Sequence, residues 1–391
     1  MVKRLKETQG KPTGLPAGAL STVFGHDSAV KALGRALAAD ELAGTYLFAG
    51  PQGVGKTTLA MAFGMAAACL SPATDPFDAC GKCDSCLRAI AGAHPEIVLI
   101  PPAGDQTQIW QFWDRDGRPP GALQHTLIYA PAIGRRRVYI IERADTLNEA
   151  AANSLLKVLE EPPPYAIFVL LTPHTARMLP TVLSRSQAIR LTASPVDSLA
   201  EFVAQQTGID RSKARVYAAY AEGRAGNALS LARNPGVESE LRGILELVES
   251  IPSESPLAAL RIGEGIRKLG SGMKAMTGNG AEPTMPEAAG AEDLSASGSS
   301  REGLGRRQLG ILMDLFMVVF RDLLALGLGG DNASIVHAED RSVLAEIAKT
   351  HPASRWMTAL EDLLLARRRL DQNASTRLLT DWLALRLVVG R

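Results

Sequence analysis

At 391 residues the chain is too long for one ordinary core, so two or three domains are expected. A hydrophobic content of 46%, a charged content of 21% and a net charge of +1 describe a soluble globular protein. They exclude a whole-chain electrostatic attraction to nucleic acid or membrane, so any DNA contact has to be local or made by a partner. The start, Met1-Val2-Lys3-Arg4-Leu5-Lys6-Glu7, lacks the apolar run of a signal peptide, and residues 1–20 are expected to be a disordered tail. The most apolar stretch, Leu309 to Leu328, carries Asp314, Arg321 and Asp322, which favours a packed helix over a membrane span. A cytoplasmic protein is expected.

In chain order, Thr22-Val23-Phe24-Gly25-His26-Asp27 leads into a helix with Val30, Leu33 and Leu37 on one face. Thr45–Ala49 is a short buried strand, followed by Gly50-Pro51-Gln52-Gly53-Val54-Gly55-Lys56-Thr57-Thr58, which fits G-x-x-x-x-G-K-[ST] at every fixed position. Leu59, Phe63, Ala66, Ala67 and Leu70 then recur at helical spacing. The glycines let the backbone wrap an anion, Lys56 reaches outer phosphates, and Thr57 can hold Mg2+ at the positive end of the following helix. The plain alternative, a glycine-rich turn that binds nothing, is weakened by the complete motif and its correct flanks.

All four cysteines, Cys69, Cys80, Cys83 and Cys86, fall within one short segment. In a cytoplasmic protein such clustering points to a metal rather than disulfides, and four thiolates match a closed structural Zn2+ site. An iron–sulfur cluster is the nearest rival, but Ile90-Ala91 stands where a ferredoxin run has Cys-Pro. Four unliganded thiols are the remaining alternative.

Pro95–Pro101 brackets a buried strand, residues 101–126 look irregular, and Arg137–Ile141 and Ala166–Leu171 are further strands. Between the last two lies a helix with Ala152, Leu155, Leu156 and Leu159 on one stripe, ended by Pro162-Pro163-Pro164. This alternation specifies an α/β fold, a parallel sheet wrapped by helices. After Pro195 the pattern is wholly helical. Within that half, residues 271–305 are rich in Gly, Ala, Ser and Glu and are expected to be a disordered loop. Helices at about 341–351, 353–369 and 375–388 follow, with Trp356 and Trp382 as core candidates.

A P-loop ATPase normally follows its second motif strand with Asp-Glu, the Asp for magnesium and the Glu for the attacking water. Here the strand is followed by Glu142-Arg143. Glu142 can serve the metal through a longer arm, but an arginine cannot act as a base at neutral pH. Asp145 lies two residues further on, and that shift is expected to aim it elsewhere. Glu142 and Thr172, at the end of the next strand, complete the candidate nucleotide set. Arg185, in Leu179-Pro180-Thr181-Val182-Leu183-Ser184-Arg185-Ser186, is either a surface cation or a finger for a phosphate bound by a neighbouring subunit.

From about Phe24 to Leu231 the chain resembles bacterial DNA polymerase III clamp loader subunits of the AAA+ class. The resemblance rests on Phe24-Gly25-His26-Asp27, the phosphate loop and the four-cysteine module. It rests also on Asn153-Ser154-Leu155-Leu156-Lys157-Val158-Leu159-Glu160-Glu161-Pro162-Pro163 and on Ser184-Arg185. It implies an AAA+ P-loop domain over 21–192, a helical lid over 193–235 and an all-helical collar over 236–391. In the gamma and tau motor branch the Asp-Glu pair is present and a lid arginine senses nucleotide. Here Arg143 replaces the glutamate and Gly226 stands at the lid position, with Arg224 two residues off. Ala150-Ala151-Ala152-Asn153 and the lid segment look like the delta-prime branch. That branch implies a stator which lends Arg185 to a neighbour instead of hydrolysing ATP itself, within a complex of gamma or tau and delta subunits that loads a sliding clamp on primed DNA. Two departures stand out: the phosphate loop is intact, so ATP or ADP with Mg2+ can bind, and Ser186 replaces the cysteine of the family's Ser-Arg-Cys. A gamma- or tau-like motor and an AAA+ regulator outside replication are the alternatives.

Overall fold

The computed structural model describes residues 18–74, 77–104, 106–234, 236–251, 256–272, 297–372 and 374–389. Its chain divides into two compact units: residues up to Ser194 together with Arg224–Gly226, and Pro195–Gly223 together with Asn227–Arg391.

In the first unit, strands β1 (Thr45–Ala49), β4 (Ile97–Ile100), β5 (Arg137–Ile141), β6 (Ala166–Thr172) and β7 (Gln187–Arg190) form one parallel sheet in the order β4-β5-β6-β1-β7. Strands β2 (Ala73–Thr74) and β3 (Phe77–Asp78) make a separate antiparallel pair. Every residue of β1, β5 and β6 is buried, as a parallel sheet covered on both faces requires. Alternate side chains feed two cores. Tyr46, Phe48, Val138, Ile140, Val169 and Leu171 pack with helices α1 (Asp27–Ala39) and α2 (Lys56–Ala68). Leu47, Tyr139, Ile141, Phe168 and Leu170 pack with α4 (Glu149–Glu160) and with Phe112 and Leu123 of the irregular segment. Helix α3 (Asp84–Ile90) and helix α5 (Pro180–Leu183) complete this unit. Edge strand β7 was not legible in the sequence because Gln187 and Arg190 give it no apolar run, and it is mostly exposed.

The second unit is helical: α6 (Val196–Thr207), α7 (Arg211–Tyr220), most of α8 (Ala225–Arg233), then α9 (Val237–Glu249), α10 (Pro256–Gly272), α11 (Ser297–Gly329), α12 (Arg341–Thr350), α13 (Ala353–Asp371) and α14 (Thr376–Val389). Its core contains Phe316, Phe320 and Trp356. A buried carboxylate, Asp322, is satisfied by the N–H groups of Val336 and His337 (both 3.0 Å) and by His337 Nδ1 (2.7 Å); the Tyr220 hydroxyl donates to His337 Nε2 (2.6 Å). Among the described residues no helix is long and apolar enough to cross a membrane.

Several expectations need correction. The tail does not extend to residue 20: residues 1–17 lie outside the described residues, but Leu20 is buried, and its N–H and that of Ser21 donate to the Asp78 carboxylate at 2.8 and 2.9 Å. Of the loop expected over 271–305, residues 273–296 lie outside the described residues, while α11 already begins at Ser297; Arg, Gln and Leu in 301–309 are good helix formers. Leu70 lies past the end of α2 and is 50% exposed. Trp382 is only partly buried, packed against the edge of the core with Arg369 stacked over its ring 4.9 Å from the centroid.

Arg137 opens β5 yet is buried, an ion pair with Glu96 at the base of the sheet. It donates through Nε to Glu96 Oε2 and through Nη1 to the carbonyls of Thr126 and Tyr129, while Glu96 Oε1 accepts from Ala132 N (2.7 Å). The pair therefore fastens the loop 126–132. Replacing Arg137 by Ala strands a buried carboxylate and is expected to cost about 3–5 kcal/mol in chemical denaturation. The double change Arg137→Met with Glu96→Leu is expected to cost much less, since both charges leave together.

Candidate functional site

The phosphate loop sits between β1 and α2 and needs its glycines. A Cβ on Gly50 would lie 2.3 Å from the Leu191 carbonyl oxygen, and Gly53 (φ 80°) and Gly55 (φ 109°) are left-handed. The Gly50 N–H donates to Thr172 O (3.1 Å), which ties the loop to the end of β6. His26, from the Phe-Gly-His-Asp segment, is buried and donates through Nε2 to Val54 O (2.8 Å), pinning the middle of the loop. Nothing in the Phe-Gly-His-Asp segment itself signals this contact, which joins residues 28 positions apart. Near the start of α8, Gly226 N donates to Gly53 O (3.1 Å).

The predicted nucleotide set converges. Lys56 Nζ donates to Gly50 O and Pro51 O, both at 2.7 Å. Thr57 Oγ1 donates to Glu142 Oε1 at 2.9 Å, so the longer acid does reach the threonine that would share a metal with it. Thr172 is buried at the far side, and Pro51, Gln52 and Thr58 are exposed on the loop's rim. Burial lowers Lys56 to about 8, against the opposing pull of the Asp145 and Glu142 carboxylates.

Asp145 corrects the sequence reading. Arg143 adopts a left-handed conformation (φ 47°, ψ 51°) and starts the 3-10 turn Ala144–Thr146, which swings the chain back. As a result Thr172 Oγ1 donates to Asp145 Oδ1 (3.3 Å) while accepting from His174 N (3.0 Å), and the Asp145 charge is felt at Lys56. Counting residues past a strand assumes extended backbone, and the left-handed residue breaks that count. Arg143 itself is exposed.

Arg185 stands apart from this group, just past α5. Its guanidinium donates to Glu160 Oε1 through Nε (2.7 Å) and Nη2, and to Thr181 O through Nη1 (2.8 Å).

The four cysteine sulfurs lie within 4.8 Å of one another. Cys69 and Cys83, and likewise Cys80 and Cys86, are 3.9 Å apart, too far for a disulfide and close to the roughly 3.8 Å edge of a tetrahedral zinc–thiolate site. Backbone N–H groups of Cys80, Cys83 and Cys86 donate to the sulfurs of Cys69, Cys80 and Cys83 (3.4, 3.4 and 3.5 Å). The Lys82 N–H chiefly lowers Cys80. At Cys83 burial acts upward, but donation from Cys86 and Leu70 N–H groups outweighs it and brings the thiol to about 6. Burial raises Cys69 and Cys86. The cluster can coordinate a metal ion and fits a structural zinc site. Elemental analysis of folded protein is expected to give one zinc per chain; Cys86→Ser is expected to lose it and to lower the thermal midpoint by several degrees, whereas iron or a metal-free folded chain would refute the assignment.

Residues 25–195 match the family described as DNA polymerase III, delta subunit. The Bacillus subtilis DNA polymerase III subunit delta' is 34% identical over 160 residues, 41% of this chain and 45% of that protein. The Pseudomonas aeruginosa subunit delta' is 35% identical over 140 residues, 36% of this chain and 40% of that one. The Escherichia coli subunit tau is 28% identical over 369 residues, 93% of this chain and 53% of the longer protein. The chain thus spans about half the length, or less, of these relatives. The phosphate loop, the four-cysteine module and the sheet all lie within the matched region, and over residues 25–195 the chain is similar to the delta-prime and tau subunits of DNA polymerase III, related AAA+ proteins of the clamp-loader family.

Proposed function

We propose that this chain is a delta-prime-like stator of a DNA polymerase III clamp loader, with an AAA+ domain over 21–192, a lid over 193–235 and a collar over 236–391. It works in the cytoplasm beside gamma or tau and delta subunits, and the assembly loads a sliding clamp on primed DNA. The observation that carries the reading is Arg143: an exposed, left-handed arginine occupies the position of the water-activating glutamate, beside a loop otherwise equipped to hold a nucleotide. Gly50 to Thr58, with Glu142 and Thr172, would hold ATP or ADP; bound Mg2+ would offset phosphate charge between Thr57 and Glu142. Zinc on Cys69, Cys80, Cys83 and Cys86 would be structural. Arg185 would act in trans, its guanidinium neutralising charge on a phosphate held next door.

The gamma- or tau-like motor is the second reading, and Asp145 favours it, because a carboxylate beside Thr172 and Lys56 is a possible base. The isolated chain is expected to bind ATP without turning it over. Turnover lost in both Lys56→Ala and Asp145→Asn would establish the motor instead. In the reconstituted complex, Arg185→Ala is expected to leave assembly intact and slow the site it faces by on the order of a thousandfold; unchanged turnover would remove the finger role.

Nucleotide binding is expected to depend on pH through Lys56. Its ordinary value, 10.5, falls to about 8 in the free chain, and phosphates favour the charged form and raise it again. Binding above pH 8 therefore takes up a proton, and affinity falls with rising pH, approaching tenfold per unit. Calorimetry in buffers of differing ionisation heat measures this uptake, and a flat affinity from about pH 7.5 to 9.5 would contradict it.

A further inference from the structure

Helix α4 ends in two consecutive carboxylates, Glu160 and Glu161, before Pro162 prevents its continuation. Negative charge at a helix C-terminus opposes the macrodipole, so neither acid is there for the helix's own stability. Glu160 has a different partner. Arg185 Nε (2.7 Å) and Nη2 donate to the same oxygen, Glu160 Oε1, while Nη1 donates to Thr181 O (2.8 Å) and, more distantly, to Ser184 Oγ (3.4 Å). Of the five N–H groups on a guanidinium, four are directed at acceptors within the chain. The edge formed by Nε and Nη2, suited to two-pronged recognition of an oxyanion, is the one Glu160 fills.

We propose that Glu160 is a stand-in anion for Arg185: a positioning residue that keeps the guanidinium edge occupied and oriented until a phosphate of a neighbouring subunit's nucleotide displaces it. The inference rests on the finger role of Arg185 given above. The strength of the pair suits exchange. The two side chains are 31% and 47% exposed, and pairs this open shift an equilibrium by up to about fivefold. A phosphate carrying more than one negative charge, and offering two oxygens to the same edge, outcompetes a single carboxylate oxygen of that strength. Glu160 therefore holds Arg185 against the body of its own subunit without sequestering it. Because its grip is lost to the same extent in the ground state and the transition state of the neighbour's reaction, its removal acts on KM and leaves kcat unchanged.

The test is steady-state ATP hydrolysis by the reconstituted complex, comparing Glu160→Gln, Arg185→Ala and the double variant. Glu160→Gln is expected to lower KM for ATP about two- to fivefold at low salt with kcat unchanged, and the gain should shrink as salt is raised. In the Arg185→Ala background the Glu160 change is expected to do nothing. The thermal midpoint of Glu160→Gln is expected to change little, since loss of the exposed pair and removal of a charge opposing the helix dipole offset each other; a purely structural role would leave KM unmoved. If Arg185→Ala has no effect, the finger role falls and this inference with it. If Arg185→Ala slows hydrolysis but Glu160→Gln leaves KM unchanged or raises it, only the assignment of Glu160 is overturned.

Discussion

The bond from Gly50 N–H to the Thr172 carbonyl carries more of this protein's chemistry than its modest strength suggests. It extends the β1–β6 ladder by one step beyond the Ala49–Thr172 pair and so begins the phosphate loop in register with the end of β6. Because β5 is in register with β6 in turn, Ile141 opposite Leu170, Glu142 emerges at the same end of the sheet. A parallel sheet puts the C-terminal ends of all its strands on one side, and there the loop, the acid and the threonine meet, although more than a hundred residues separate Gly50 from Thr172. The chemistry of the cradle follows from sheet register first and side-chain identity second.

Much of this was legible in the sequence, for reasons that can be named. The strands read at 45–49, 137–141 and 166–171 are mostly apolar runs, and α4 carries a clear stripe, so their type and order followed from periodicity. The loop motif and the cysteine spacing specify local chemistry within a few residues, and the coordinates gather both groups. What stayed hidden depends on contacts between distant segments or on backbone handedness. Nothing near His26 in the chain signals Val54, nothing near Leu20 signals Asp78, and nothing in Glu-Arg-Ala-Asp announces that its arginine is left-handed. Asp145 was misjudged for that last reason alone.

Two arginine–glutamate pairs in the first unit show how burial sets the use of the same chemistry. Arg137 and Glu96 are 7% and 2% exposed, and further donors and acceptors surround them, so the pair is a fixed bolt beneath the sheet. Arg185 and Glu160 are partly open to water, where attraction is screened and replaceable. One pair holds a loop in place; the other is weak enough to exchange partners.

The contact between Gly226 and Gly53 makes one glycine answerable for the shape of another. A side chain at 226 would begin 3.1 Å from the Gly53 oxygen, tighter than ordinary packing, with backbone rather than a flexible tip in the way. Such a side chain would need the loop or the start of α8 to yield by a few tenths of an ångström. Position 226 thus bears directly on the shape of the phosphate loop, although more than 170 residues of chain lie between them.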